Sequence, residues 1–216
     1  MSADLFDLPE AEPREDSLGL GAVVLRGLAV ADAPMLLAAL RDAIRRAPFR
    51  HMATPGGFRM SVAMTNCGAW GWVSDSGGYR YTRVDPENGE SWPEMAAAFL
   101  RVAQHAASRA GFEDFLPDAC LINRCERGAR LSLHQDRNER DLGAPIVSIS
   151  LGVPAVFLFG GSRRSDPVRR VPLRHGDVVV WGGPARLRYH GVRPLEDGYH
   201  PLTGKQRINL TFRRAA

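Results

Sequence analysis

Two histidines and one aspartate are the residues in this chain whose types and spacing could do chemistry together. In Leu131-Ser132-Leu133-His134-Gln135-Asp136, apolar and polar residues alternate. In a strand, Ser132, His134 and Asp136 share one face and the leucines take the other. His134 and Asp136 can then reach one ion from adjacent positions. A third ligand must come from elsewhere, and His190, in Tyr189-His190-Gly191, is the best candidate. Two imidazoles and a carboxylate occupy one face of an octahedral ion and leave the opposite positions open. That suits non-haem Fe(II), which must bind a co-substrate and oxygen together. The His-x-Asp spacing alone also arises by chance in many sequences. The remaining histidines, His51, His105, His175 and His200, read as structural or surface residues.

A second polar pattern lies near the C-terminus. In Arg207-Ile208-Asn209-Leu210-Thr211-Phe212-Arg213 every second residue is polar. A strand would place two guanidiniums and an amide on one face and three apolar side chains on the other. Arginine forks bind carboxylate oxygens bidentately, so this face suits a dicarboxylate. The alternative is a solvated face ending a basic tail. Beside a metal triad, a dicarboxylate co-substrate is the better explanation.

The elements that must position these residues are mostly strands. Residues 1 to about 19 are rich in Asp, Glu and Pro and read as a mobile lead-in; residues 20–216 form a single domain. Val23-Val24-Leu25 is a short buried strand. A helix runs from Ala33 to Arg46, with Asp32 as cap, Pro34 in its first turn, and Met35, Leu36, Ala39, Leu40 and Ile44 as its apolar face. Residues of about 49–86 are dominated by glycines and aromatics, with turn signals at Gly56-Gly57 and Gly77-Gly78. A second helix starts near Ser91, where Ser91 and Glu94 form a capping box, and ends at Gly111. From about residue 115 to 216 the chain reads as β, with strands at 119–124, 146–151, 155–159, 178–181 and 207–212. Many short strands separated by Gly- and Pro-rich turns favour a sandwich or barrel.

Composition narrows the class further. The 28 basic and 24 acidic residues give a net charge of +4, which permits a polyanionic partner. No apolar run reaches the ~18 residues that would span a bilayer, and the acidic N-terminus lacks a signal pattern. The expectation is a cytoplasmic monomer with no membrane partner. Three cysteines, Cys67, Cys120 and Cys125, have neither zinc-type spacing nor a disulfide framework.

Together, Asp118-Ala119-Cys120-Leu121-Ile122-Asn123-Arg124, His134-Gln135-Asp136, His190 and the strand from Arg207 to Arg213 resemble the bacterial AlkB alkylation-repair dioxygenases. Further matching runs are Thr54-Pro55-Gly56-Gly57, Met60-Ser61-Val62-Ala63-Met64-Thr65-Asn66-Cys67-Gly68 and Gly176-Asp177-Val178-Val179-Val180-Trp181-Gly182-Gly183. The likeness extends from about residue 20 to the end. It implies a mainly β fold with flanking helices: a double-stranded β-helix (jelly-roll) core with an N-terminal nucleotide-recognition lid at about 49–86. It implies Fe(II), with 2-oxoglutarate and O2 as co-substrates. It also implies oxidative demethylation of N-alkylated bases, of the 1-methyladenine and 3-methylcytosine type, in single- or double-stranded DNA, with RNA left open. Succinate and formaldehyde would be the by-products.

By position, the resemblance implies that Arg207 pairs with the far carboxylate of 2-oxoglutarate and Arg213 with the carboxylate near the metal, while Asn123 and Asn209 hydrogen-bond the co-substrate. Trp72 and His134 would sandwich the flipped base, and Tyr79 would contact a phosphate. Thr54, Met64, Arg164 and Glu139 would line the nucleotide pocket. The chain departs from the family where a tyrosine that helps hold 2-oxoglutarate is replaced by Cys125. It departs again where an acidic, base-reading residue is replaced by Asn138, preceded by Arg137 in place of a lysine. Two other readings compete: the same oxidative chemistry on a protein or small molecule, and a cupin-like binding protein that forms no succinate.

Overall fold

A computed structural model describes residues 14–216. In chain order its elements are β1 (Glu15–Gly19), β2 (Ala22–Leu25), α1 (Ala33–Arg46), β3 (Ala63–Gly68), β4 (Gly71–Asp75), β5 (Gly78–Thr82) and α2 (Ala97–Arg109). They are followed by β6 (Ala119–Cys125), β7 (Leu131–His134), β8 (Ile146–Gly152), β9 (Ala155–Phe159), β10 (Arg169–Leu173), β11 (Val178–Trp181), β12 (His190–Val192) and β13 (Arg207–Arg213).

The strands form a seven-stranded sheet, β1-β2-β11-β8-β13-β6-β3, a four-stranded sheet, β10-β9-β12-β7, and the separate hairpin β4-β5. From β6 onward the chain crosses between the two larger sheets at nearly every step. The only step within one sheet is the β9–β10 hairpin. This alternation of antiparallel strands is the jelly roll expected from the sequence.

Side-chain alternation divides the core in two. On β11, Val179 and Trp181 join Ile146, Phe157, Phe159, Val171 and Val192 between the sheets, whereas Val178 and Val180 pack under the helices. On β13, Ile208, Leu210 and Phe212 lie in the helix-side core, where Phe212 meets Phe99 of α2 edge-on at 6.0 Å. The opposite face of β13, with Arg207, Asn209, Thr211 and Arg213, is also buried. That burial removes the solvated-strand alternative.

Several local expectations change. Glu15–Gly19, placed in the lead-in, forms β1 against β2; residues 1–13 lie outside the described residues. The first helix has its expected bounds, but Asp32 does not cap it: its carboxylate accepts from Arg101 of α2 at 2.9 Å. The buried stripe is Ala33, Leu36, Leu37, Leu40 and Ala43, with Met35 exposed, because α2 and the sheet cover a slightly rotated face. The Ser91–Glu94 capping box is absent, and the second helix begins at Ala97. Tertiary contacts hold residues 91–93 extended: Ser91 bridges Val84, the buried Trp92 indole donates to the Thr82 carbonyl, and the Pro93 carbonyl accepts from Gly68. Ala63–Gly68, within the segment read as lid, pairs with β6 in the large sheet. The charged strand β10 has no counterpart in the sequence reading.

Leu210 is fully buried on the helix side of β13. Leu210→Ala should cost about 2–5 kcal/mol of stability, as truncations of buried leucines do. Urea unfolding would measure this as a lower midpoint at constant slope.

Candidate metal and co-substrate site

β12 pairs with β7 so that His190 stands directly opposite His134, their ring centroids 4.4 Å apart. Each Nδ1 faces a carbonyl: Ser132 O at 2.8 Å for His134 and Arg188 O at 3.0 Å for His190. A carbonyl can only accept, so both Nδ1 atoms carry hydrogen, and Nε2 is the nitrogen each ring can offer to a metal. The chain leaves β7 after His134 and brings Asp136 beside them. Its Oδ1 lies 3.6 Å from His134 Nε2 and its Oδ2 3.6 Å from His190 Nε2. Among the described residues this is the cluster that could hold a metal ion. Two imidazole Nε2 atoms and a carboxylate converge on one point, a donor set that a divalent cation satisfies.

The charge states agree with that reading. Burial first, and the neighbouring His190 second, lower the pKa of His134 to about 4, so its imidazole is neutral at physiological pH. Burial would raise the pKa of Asp136, but the Arg213 guanidinium and His190 outweigh it and hold the carboxyl well below the usual range. Arg213 donates to Asp136 Oδ2 through Nη2 at 2.6 Å and Nε at 3.0 Å. Burial disfavours the Arg213 charge, yet Asp136, Tyr81 and Glu139 raise its pKa above normal.

At the other end of the same strand face, Arg207 is 2% exposed. Its Nη2 donates to Ser150 Oγ at 2.9 Å, while Nε and Nη1 are buried without a partner among the described residues. Cys125 is its cross-strand neighbour on β6. Burial pushes the Cys125 thiol up, and the adjacent Arg207 offsets only part of that rise, so the thiol supplies no anion. A buried cation with two unused donors calls for an anionic ligand.

Between the arginines lies an amide ladder. Asn209 Oδ1 accepts from Asn123 Nδ2 at 3.2 Å and Thr211 Oγ1 at 2.9 Å. Its Nδ2 donates to Ser148 Oγ and the Ile149 carbonyl. That uses the whole capacity of the Asn209 amide. Asn123 Oδ1 remains buried and unpaired, so of the two it has a free atom for a ligand.

The residues expected at the substrate have mixed placements. Trp72 and Tyr79 stack with centroids 5.6 Å apart and planes 14° apart. Their partners in register, Tyr81 and Ser74, place all four on one face of the β4–β5 hairpin. The Trp72 indole donates to Asn138 Oδ1 at 3.4 Å. Thr54 closes a tight turn in which its Oγ1 accepts from the Phe58 amide. Met64 is buried within the inter-sheet core. The Arg164 guanidinium sits 5.9 Å from the centroid of Tyr189. Glu139 turns inward, accepting from the Tyr81 hydroxyl at 2.7 Å and lying near both Arg186 and Arg213. Arg186 and Ser150 escaped the sequence reading, since no local pattern marks either. Tyr81 could have been found by its two-residue spacing from Tyr79. The other histidines play local parts: His175 stacks on His200 at 4.1 Å and accepts from the Gly152 amide.

The description "2OG-Fe(II) oxygenase superfamily" matches residues 21–213. The chain is 55% identical over 212 residues to the alpha-ketoglutarate-dependent dioxygenase AlkB of Escherichia coli, covering 98% of this chain and 97% of that one. It is 56% identical over 213 residues to the AlkB of Salmonella typhimurium, covering 99% and 98%. The solved structure of OsALKBH1 superposes with a TM-score of 0.82 at 28% identity, covering 93% of this chain and all of that one. A jelly roll carrying a His-Asp-His cluster, matched over nearly its whole length by these relatives, makes the chain a member of the 2OG-Fe(II) oxygenases and, within them, of the bacterial AlkB family.

Proposed function

We propose that the protein removes alkyl groups from the ring nitrogens of damaged bases, acting as a cytoplasmic monomer on single- or double-stranded DNA and with RNA as a further substrate. The carrying observation is the convergence of His134, Asp136 and His190 on one point, with the unpaired donors of Arg207 buried in the same barrel. In this reading the triad holds Fe(II), Arg207 takes the far carboxylate of 2-oxoglutarate and Asn123 its remaining polar contact. Arg213 steadies both Asp136 and the near carboxylate. Fe(II), 2-oxoglutarate and O2 supply the oxidation of the N-alkyl carbon, after which the hydroxymethyl group leaves as formaldehyde and the co-substrate as succinate and CO2.

The chain's own part is to bind, orient and exclude water. Trp72 and His134 would clamp the base once it leaves the stack, since an enzyme working on a ring atom must extract it. Tyr79 would contact a phosphate of the substrate strand; its 46% exposure beside Trp72 supports that role. The Trp72–Asn138 contact engages the Asn138 carbonyl, leaving its amide hydrogens to face the substrate. Thr54 and Arg164 complete the surroundings of the nucleotide, while Met64 and Glu139, both buried, support the pocket from behind. Succinate and formaldehyde released from a 3-methylcytosine oligonucleotide with Fe(II), 2-oxoglutarate and O2 would test this. Their absence would end the proposal.

His134→Ala leaves the Arg213–Asp136 pair intact and removes one ligand. Fe(II) affinity should fall more than about 100-fold, beyond the loss seen for outer-shell residues, in an anaerobic titration. Arg207→Ala should raise the 2-oxoglutarate requirement about 10–100-fold, the value of a charge-assisted pair, while oligonucleotide affinity stays near that of the parent. Asn138→Asp restores an anion that favours cationic lesions. The ratio of kcat/KM for 3-methylcytosine over 3-methylthymine should rise about fivefold, on the order of 1 kcal/mol; an unchanged ratio means that residue 138 does not read the base.

A further inference from the structure

Glu139 is enclosed by groups that reach Asp136 along two routes. Its Oε1 lies 3.4 Å from Arg213 Nε, and its Oε2 lies 3.2 Å from Arg186 Nη2. Arg213 holds the Asp136 carboxylate at 2.6 Å, and Arg186 Nη1 donates to the Asp136 backbone carbonyl at 2.7 Å. Arg186 is fixed further by the Ala144 carbonyl at 3.0 Å. One carboxylate thus braces the side chain and the backbone of Asp136 through two guanidiniums. All three side chains are nearly sealed from water, at 2%, 4% and 6% exposure for Glu139, Arg186 and Arg213. Neither contact of Glu139 with a guanidinium has hydrogen-bond alignment, and Oε2 makes no hydrogen bond among the described residues; the bracing is the attraction of close unlike charges, which is little screened in so dry a setting.

Among the described residues, the other polar group on Glu139 comes from outside the jelly roll. The Tyr81 hydroxyl, on β5, donates to Oε1 at 2.7 Å. The hairpin β4–β5 belongs to neither larger sheet, and an isolated two-stranded hairpin is marginal by itself. Its seating therefore rests on side-chain contacts. At its base, Asn66 brackets the Trp72 backbone and Trp92 holds the Thr82 carbonyl. On the face that carries Trp72 and Tyr81, Ser74 donates to the Ala53 carbonyl at 2.6 Å, and Trp72 reaches Asn138 and Tyr81 reaches Glu139, one residue apart in the segment that carries Asp136. The same face carries the stacked Trp72 and Tyr79.

We infer that Tyr81 and Glu139 are positioning residues that couple the seating of the β4–β5 hairpin over a substrate base to the placement of Asp136. This rests on the demethylation reading and adds to it. With the hairpin seated, Tyr81 fixes Glu139, Glu139 holds both guanidiniums, and these fix Asp136; a base gripped at Trp72 would keep the hairpin in that place. Oxidation of the co-substrate is thereby tied to a seated substrate.

Tyr81→Phe removes one hydroxyl and leaves every charge in place, so it separates coupling from folding. With the full-length enzyme, Fe(II), 2-oxoglutarate, O2 and a 3-methylcytosine oligonucleotide, the parent should form succinate and formaldehyde in equal amounts. Tyr81→Phe should raise the succinate-to-formaldehyde ratio by up to about tenfold, the lower end of what loss of one charge-assisted hydrogen bond carries, with the global Tm near the parent's. In the metal-free protein, hydrogen exchange should quicken both in residues 71–82 and in residues 135–139, and stay unchanged in α1 and α2. Glu139→Gln should change the same two segments more strongly. Exchange that quickens only in 71–82, or a Tyr81→Phe enzyme as coupled as its parent, overturns the inference. A parent that forms neither product overturns the demethylation reading instead, and the exchange pattern then decides the coupling by itself.

Discussion

Two guanidiniums buried on one face of a single strand constrain the rest of this molecule. Breaking a buried pair typically costs several kcal/mol, because it strands a charge in a low-dielectric interior. A sheet that places Arg207 and Arg213 between two layers must therefore bring anions to both. For Arg213 the chain provides them, with Asp136 on its Oδ2 and Glu139 close by. For Arg207 it provides one serine hydroxyl and leaves two donors unmatched. The asymmetry suits a ligand with a carboxylate at its far end. The neutral amide ladder of Asn123, Asn209 and Thr211 spans the interval without adding a charge.

The metal cluster depends on the same constraint. An aspartate between two histidines in a buried site would be costly to keep ionised, and Arg213 makes it affordable by lowering its pKa. The histidines need only be neutral and oriented. Burial keeps His134 neutral, and the two carbonyls opposite Nδ1 turn each Nε2 toward Asp136. None of these groups acts alone: removing the arginine would disturb the ligand, and the ligand is what pairs the arginine.

The element proposed to meet the substrate is held differently. The hairpin that carries Trp72 and Tyr79 has no sheet partner and is held by indole, amide and phenol hydrogen bonds. Val73 anchors it in the inter-sheet core and Ser74 donates to the Ala53 carbonyl, so side chains, and not ladder pairing with a larger sheet, set its position.

Much was legible in the residues themselves. The alternation of Leu131 to Asp136 and of Arg207 to Arg213 reports which side chains share a face, because strand periodicity is a local property. The bounds of α1 followed from its apolar spacing, and the long runs shared with AlkB-type enzymes marked the fold. Local rules failed where a distant group competed. Asp32 and Ser91 look like helix caps, but Arg101 claims the first and a bridge to Val84 the second. Pairing of Glu139 with Arg186, exhaustion of the Asn209 amide and the open valence of Arg207 could not be read from spacing. Each depends on which strands become neighbours, and through-space distances carry no signature along the chain. The sequence thus determined the ligand types, the strand faces and the family. Tertiary structure alone decided which charges met a partner inside the protein and which were left for a ligand.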